Sequence, residues 1–324
     1  MIKGITVLIC TYNGASRLAK TIEHLALQTA TAKIPWELIV VDNASKDGSM
    51  QVAQTEWDKY NLPSVQFTIL FEKTPGKSHA LDQGAARAKF EYLLICDDDN
   101  WLNPDYLERI HAILDNHPKV GAVGGQGIAV SDLPSLPTWF KEYEEGYACG
   151  KQSQQTGVVT AKGYLWGAGL GTRTALYRKM YAGFPSLLTG RLGKQLTAGE
   201  DAEYCKRLIL AEHELYYDEN LMFQHYMPEN RLKSEYRTHL FNGFTESSHI
   251  LHKYDLANVL KQKCGHRLLV RVRLLLVTPF RFLLTSSTEQ KEKSKDILIF
   301  LSPIEIGKNT VMLKIKKFYQ AVSR

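Results

Sequence analysis

Five times in the first 125 residues a short apolar, β-rich run appears: "ITVLIC", "WELIVV", "VQFTIL", "YLLIC" and "VGAVGG". Helical patterns follow the first four, over residues 15–27, 48–60, 78–89 and 104–116. Strands that are apolar on both faces and alternate with helices of this length fold as a largely parallel sheet covered on both sides. The expected class is therefore α/β, with a doubly wound, mostly parallel sheet. In such sheets ligands gather beyond the carboxyl ends of the strands. The polar stretches "TYNG", "DNASKDGS", "EKTPGKSH" and "DDDN" follow the first four strands, so all four belong on one edge.

The fourth stretch stands out, because "EYLLICDDDNWLNPDYL" sets Asp97, Asp98 and Asp99 side by side. Adjacent carboxylates repel, and the triplet admits two readings. One is a solvated turn that caps the next helix, with Pro104 at its first position. The other is a seat for a hard divalent cation, which takes one or two protein carboxylates together with phosphate oxygens and water. Two nucleotide motifs fail on spacing. The "GKS" at 76–78 lacks a Walker glycine five positions before Gly76, where Phe71 stands, and "GAGLGT" at 167–172 ends in Thr172 where a dinucleotide loop needs glycine.

From residue 126 to about 198 the pattern loosens into Gly, Pro and aromatic residues, which suits a binding wall. A helix is expected over 199–214, and strands at "ELYYD" and "LMFQHY". Past about residue 228 the chain reads as helical and increasingly basic. Residues 251–324 hold 15 Lys and Arg against 5 Asp and Glu, although the net charge of the whole chain is only +6. No apolar run approaches the roughly 18 residues of a membrane span. The N-terminus reads as a first strand and lacks the pattern of a secretory signal. The five cysteines, Cys10, Cys96, Cys149, Cys205 and Cys264, are scattered without a C-x-x-C pair, which fits a reducing, cytoplasmic compartment.

Taken in order, "VLICTYNGASRLAKTIEHLALQT", "LIVVDNASKDGS", "PGKSHALDQGAARAKFEYLLICDDDNWLNPDYL", "GAGLGTR" and "TAGEDAEYCKRL" resemble family 2 glycosyltransferases, the inverting enzymes of GT-A fold that use nucleotide-sugar donors. The resemblance covers roughly residues 3–240. It implies a GT-A catalytic domain over residues 1–245, a nucleotide-binding half joined to an acceptor half, followed by a basic, mainly helical extension over 246–324. It also implies site residues. Thr11, Tyr12 and Asn13 match the loop around the nucleoside, and Asp42 matches the carboxylate that accepts from the base, although an Asx turn in "DNAS" would use the same side chain. Lys77 lies where a cation would meet the diphosphate. Asp97, facing the ribose, and Asp98, the variable middle of the D-x-D motif, belong to the nucleotide-sugar site; Asp99 would bind Mn²⁺ or Mg²⁺.

The family's catalytic base falls in "GED". On a helix Asp201, Cys205 and Leu208 share one inward face, and Glu200 points about 100° away, so Asp201 is the candidate. The helix dipole stabilises negative charge there, and a base must take the acceptor proton. His225 either completes the metal site or touches phosphate, or else is a buried, hydrogen-bonded histidine. Trp166 and Gly167 form either an acceptor platform or packed core. The Q-x-x-R-W signature of processive members is absent, which points to transfer of one sugar per encounter.

The expected partners are a nucleotide-sugar donor, most simply a UDP-sugar, and a glycan or lipid-linked acceptor of surface polysaccharide or glycoconjugate synthesis. A peripheral contact with an anionic membrane is expected through the basic tail, where Lys263, Arg267, Arg271 and Arg281 project as one stripe beside Leu268, Leu269, Val272, Leu275 and Leu276. Pro279 should break or kink that helix. No nucleic-acid partner is expected. The competing classes are a nucleotidyltransferase, which needs no acceptor base, and a non-catalytic nucleotide-sugar binder, which would tolerate loss of Asp201.

Overall fold

The computed structural model describes residues 1–188, 190, 198–264 and 267–323. The strands are β1 (Ile2–Thr11), β2 (Trp36–Asp42), β3 (Gln66–Phe71), β4 (Phe90–Asp97), β5 (Asn100–Leu102), β6 (Val120–Val130), β7 (Gly157–Val158), β8 (Leu170–Arg173) and β9 (Glu214–Tyr226). The α-helices are α1 (Ala15–Ala26), α2 (Ser49–Asp58), α3 (Lys77–Arg87), α4 (Tyr106–Asn116), α5 (Phe140–Tyr143), α6 (Thr174–Tyr181), α7 (Glu200–Leu210), α8 (Ser234–Cys264), α9 (Leu268–Leu284), α10 (Thr288–Leu301) and α11 (Val311–Val322).

One mixed sheet runs β3-β2-β1-β4-β8-β6-β9-β5, with β7 paired to β9. The first half is parallel, β1 lying between β2 and β4, and this change of direction in strand order marks the binding edge. Strand alternation explains why both faces are buried. Ile5, Val7 and Ile9 of β1 pack under α1, α2 and α4, and Leu8 turns to the other side with Ile39, Val41, Leu93 and Ile95.

The structure departs from the sequence expectations in several places. α4 begins at Tyr106 with Asp105 as its cap, not at Pro104, whose carbonyl instead accepts from Thr29 N. The two expected strands after residue 214 are one continuous strand, β9, whose pairing with β6 shifts register between Gly124 and Gln126. β5 was not anticipated; it is three residues long and pairs antiparallel with β9, setting Asn100 opposite His225. The basic stripe does not form on one helix. Lys263 belongs to α8, Arg267 is the cap of α9, and Arg271 turns inward to donate to Leu301 O at 2.9 and 2.6 Å. Pro279 sits inside α9 without ending it; the residue is exposed, so its ring has room.

The C-terminal helices are not separate from the rest. Residue 245 falls inside α8, and Ile299, Met312, Ile315 and Phe318 share one core cluster with Cys205 and Leu208 of α7. A buried network ties this region together. Glu203 (0% exposed) receives Tyr254 Oη at 2.9 Å, Leu187 N at 3.0 Å and Leu188 N at 3.2 Å. Arg207 donates to Glu203 at 2.7 Å and to the carbonyls of Met180, Phe184 and Pro185, and its guanidinium lies over the rings of Tyr181 and Phe318. No helix among the described residues is long and apolar enough to cross a membrane.

Candidate active site

The carboxyl ends of β1, β2 and β4 meet in register, Thr11 beside Asp42 and Cys10 beside Asp97, so the loops after these strands line one cleft of about 1240 Å³. The "TYNG" and "DNAS" loops are laced together. Asn13, in a left-handed conformation with φ 49°, accepts Lys46 N through Oδ1 at 2.9 Å, and its own N–H donates to Ser45 Oγ. Asp42 Oδ1 accepts Ser45 N at 3.0 Å in an Asx turn, and Oδ2 has no hydrogen bond among the described residues. Asn43 spans to the next loop, accepting Gly76 N at 2.7 Å and donating to Thr74 O. The Asn13 amide is thus committed to the scaffold, and of the three nucleoside-loop candidates Tyr12, 51% exposed, offers an open ring to the cleft.

The three aspartates do not crowd one another's charge unaided: each meets a basic side chain from a different element. Lys77, at the start of α3, donates to Asp97 Oδ1 at 2.5 Å. Arg17 of α1 grips Asp98 with Nε on Oδ1 at 3.0 Å and Nη2 on Oδ2 at 2.8 Å, and Thr11 Oγ1 adds a bond at 2.6 Å. Arg231, in the turn after β9, reaches Asp99 Oδ2 at 2.6 Å. Gly14 permits this arrangement, since a Cβ there would come within 2.1 Å of Thr11 Oγ1 and 2.3 Å of Asp98 Oδ2.

Burial pushes all three carboxyls up, but the balance differs. Lys77 outweighs burial at Asp97 and holds it below the usual carboxylate range. At Asp99 the charge of Arg231, with His225 beside it, outweighs burial and holds it below that range as well. At Asp98 burial and the neighbouring Asp99 outweigh Arg17, so this carboxyl is raised. Arg231 is held above its ordinary value by Asp99 against the opposing effect of burial. Asp98 is therefore a brace between α1 and the strand end, with Thr11 spent on it.

His225 comes to this group through the β5–β9 pairing. Its Nε2 lies 3.3 Å from Asp99 Oδ1, and its Nδ1 lies 2.8 Å from Tyr147 O. A carbonyl only accepts, so Nδ1 carries a hydrogen. Protonated, Nε2 donates to Asp99 as an ion pair; in the neutral ring it presents a lone pair to the carboxylate, where a cation could sit between them. Metal-ligating histidines are oriented by just such a bond to a carbonyl. Among the described residues no cluster of three or more His, Cys, Asp or Glu side chains is placed to hold a metal. Asp99 and His225 fit as two protein ligands, with phosphate oxygens and water completing the shell.

On another wall of the same cleft stands Asp201, near the N-terminus of α7. Its Oδ2 accepts Gly167 N at 2.7 Å and its Oδ1 accepts Ala202 N at 2.8 Å, which fixes the carboxylate's orientation. Cys205 and Leu208 are fully buried on the same helical face, as the spacing predicts, and Glu200 points toward Gly190. Gly167 is positioned by this contact, a Cβ there falling 3.2 Å from Asp201 Cβ. Trp166 is 6% exposed and lines the cleft as part of its wall, its N–H held by Gln152 Oε1 at 2.9 Å. Tyr143, Tyr147, Phe241 and Phe244 continue an aromatic surface around this end.

Sequence reasoning missed Arg17, Asn43 and Arg231. Arg17 lies within the quoted "TYNGASRL" and Arg231 within "PENRL", but neither has a local pattern that names its partner, 81 and 132 residues away.

Fold and site together define an α/β protein whose strand-end carboxylates and adjoining cations are built to receive a phosphorylated ligand. Residues 6–157, just under half of the chain, match the model of glycosyl transferase family 2. It is 31% identical over 107 residues to the cholesterol galactosyltransferase of Borreliella burgdorferi, and 27% identical over 132 residues to the poly(ribitol-phosphate) beta-N-acetylglucosaminyltransferase TarS of Staphylococcus aureus. These matches span 33% and 39% of this chain but only 28% and 22% of those proteins. Solved structures show the same GT-A fold over nearly the whole chain. S. aureus TarS 1–349 with UDP superposes with a TM-score of 0.53 at 16% identity, covering 98% of this chain and 90% of that one. The mannosyltransferase PcManGT from Pyrobaculum calidifontis, with GDP-Man and Mn²⁺, gives 0.54 at 18% identity, covering 100% and 86%.

Proposed function

We propose that this chain is a metal-dependent, inverting glycosyltransferase that moves one sugar from a nucleotide-sugar donor, a UDP-sugar, to a hydroxyl of a glycan or lipid-linked acceptor. The observation that carries the reading is the placement of the Asp99–His225 pair and of Asp201 on walls of one cleft. The family's donors, and the UDP and UDP-GlcNAc held by TarS structures, support the donor class. The Mn²⁺ in the mannosyltransferase structure supports the cation.

Asp99 and His225 would hold Mn²⁺ or Mg²⁺, which supplies positive charge to the departing diphosphate. Arg231 and Lys77 add fixed positive charge on the same wall, Tyr12 offers a ring face to the base, and Asp42 Oδ2 is the acceptor for a pyrimidine N–H. Asp201 takes the proton of the acceptor hydroxyl as that oxygen attacks the anomeric carbon. The new C–O bond forms as the bond to the diphosphate oxygen breaks, and the electron pair leaves with the nucleoside diphosphate. The aromatic surface of Trp166, Tyr147, Phe241 and Phe244 suits a sugar acceptor. The enzyme would work in the cytoplasm, peripherally on the membrane's inner face, in surface polysaccharide or glycoconjugate synthesis.

A screen of nucleotide sugars that follows nucleoside diphosphate release tests this directly. Release from one donor class, abolished by chelator and restored by Mn²⁺ or Mg²⁺, is the expected result. Full turnover in excess chelator removes the metal from the account, and no release from any donor removes the enzyme.

A further inference from the structure

α9 is apolar on its outer side as well as on the side that meets the core. Projected at about 100° per residue, Leu268, Leu269, Val272, Leu276, Phe280 and Leu283 fall within an arc of about 120°. They are 72%, 86%, 44%, 64%, 67% and 76% exposed. The inward side holds Val270, Leu274 and Leu275, packed against the core, with Thr278 3% exposed and Arg271 spent on Leu301 O. A surface helix of a globular protein exposes a polar face instead, and a contiguous apolar patch of this kind marks a surface that meets something. No acidic residue lies between Asp255 and Glu289, and the exposed Arg273 falls about 20° beyond the edge of the apolar arc, whereas Arg267 and Arg281 lie on the far side of the helix.

We infer that α9 lies flat on an anionic phospholipid bilayer, its apolar arc in the acyl boundary and Arg273 on the headgroup phosphates. The inference rests on the reading of the chain as a peripheral membrane enzyme, and replaces the single basic stripe expected from sequence with an exposed apolar face bordered by Arg273. Two features choose this occupant. At 17 residues the helix is shorter than the roughly 20 needed to span a bilayer, so it lies on the surface. A second copy packed across the same arc would bring up another α9 with no acidic residue to pair Arg273, whereas lipid phosphates pair it directly.

Flotation of the full chain with phosphatidylglycerol-containing and pure phosphatidylcholine vesicles tests this, at low and high salt. The wild type should float with the anionic vesicles and release as salt rises. Leu269→Asp/Leu276→Asp/Leu283→Asp should lower the bound fraction at least tenfold with an unchanged melting temperature, since these side chains touch solvent only. Arg273→Gln should lower it about fivefold, and Lys308→Gln, with the same loss of charge on an exposed residue elsewhere, less than twofold. A triple variant that floats like the wild type would place binding outside α9. A wild type that stays at the bottom overturns the membrane reading altogether, and concentration-dependent self-association without vesicles, abolished by the same triple change, assigns the face to a second copy. Donor turnover, measured separately, distinguishes failure of the enzymatic reading, because flotation does not depend on it.

Discussion

Glu203→Gln probes how firmly the C-terminal helices hold the catalytic helix. Glu203 and Arg207 are 0% and 1% exposed at their side chains and are joined at 2.7 Å, with Tyr254 of α8 bonded to both. The carboxamide is nearly isosteric, but it leaves the Arg207 charge buried without its counter-ion. It also turns an N–H donor toward the N–H groups of Leu187 and Leu188 and the Ser186 hydroxyl, all of which donate to Glu203 now. Breaking one side of a buried pair costs about 3–5 kcal/mol. With an unfolding entropy of about 2.1 cal/mol/K per residue, a chain of 324 residues has about 0.7 kcal/mol/K, so the melting temperature should fall by about 4–7 °C. Arg207→Met in the same background should recover part of that loss, because it removes the stranded charge. Calorimetry of the four proteins in the cycle measures both effects. A single variant melting within about 1 °C of wild type, or a double variant showing the sum of the two single losses, would refute the reasoning.

Other outcomes follow from the site. Asp99→Asn should weaken binding of a nucleoside diphosphate in the presence of Mn²⁺ by tenfold or more and change it little in chelator, as titration calorimetry would show. Arg17→Met leaves Asp98 without its bidentate partner and should loosen the "TYNG" loop, raising donor KM more than it lowers kcat. Burial lowers the pKa of both His111 and His213 below 6.5. The folded state then binds fewer protons than the unfolded state between those values and about 6.5, so the contribution of these groups to stability should rise with pH through that window and be level on either side of it. Denaturant titrations at a series of pH values check the sign, and His213→Gln should flatten part of the slope.

The parallel half of the fold was legible because β1 to β4 and their helices announce themselves locally, by apolar runs and by turn residues at fixed offsets. The same locality put Tyr12, Lys77 and the three aspartates on one edge, and helical spacing singled out Asp201 over Glu200. The rest depends on pairings that no local pattern encodes. β5 has three residues and gains its register only from β9, yet that register carries His225 to Asp99. Arg231 and Arg17 became part of the site through long-range ion pairs, and the repulsion in "DDDN" is relieved first by those cations rather than by a metal alone. In α9 the residues that look like one basic stripe on a wheel divide between an inward bond at Leu301 and the solvent, because α10 packs beneath it.

The central claim, that Asp201 takes the acceptor proton while the aspartate edge holds the donor, is tested most directly by Asp201→Asn. The substitution keeps an oxygen for the Gly167 or Ala202 N–H but cannot accept the hydroxyl proton. Donor affinity, titrated with Mn²⁺ present, should stay within about threefold of wild type, and kcat for sugar transfer should fall by a factor of about 10²–10⁴. An unchanged kcat, or a kcat loss matched by an equal loss of donor affinity, would contradict the account.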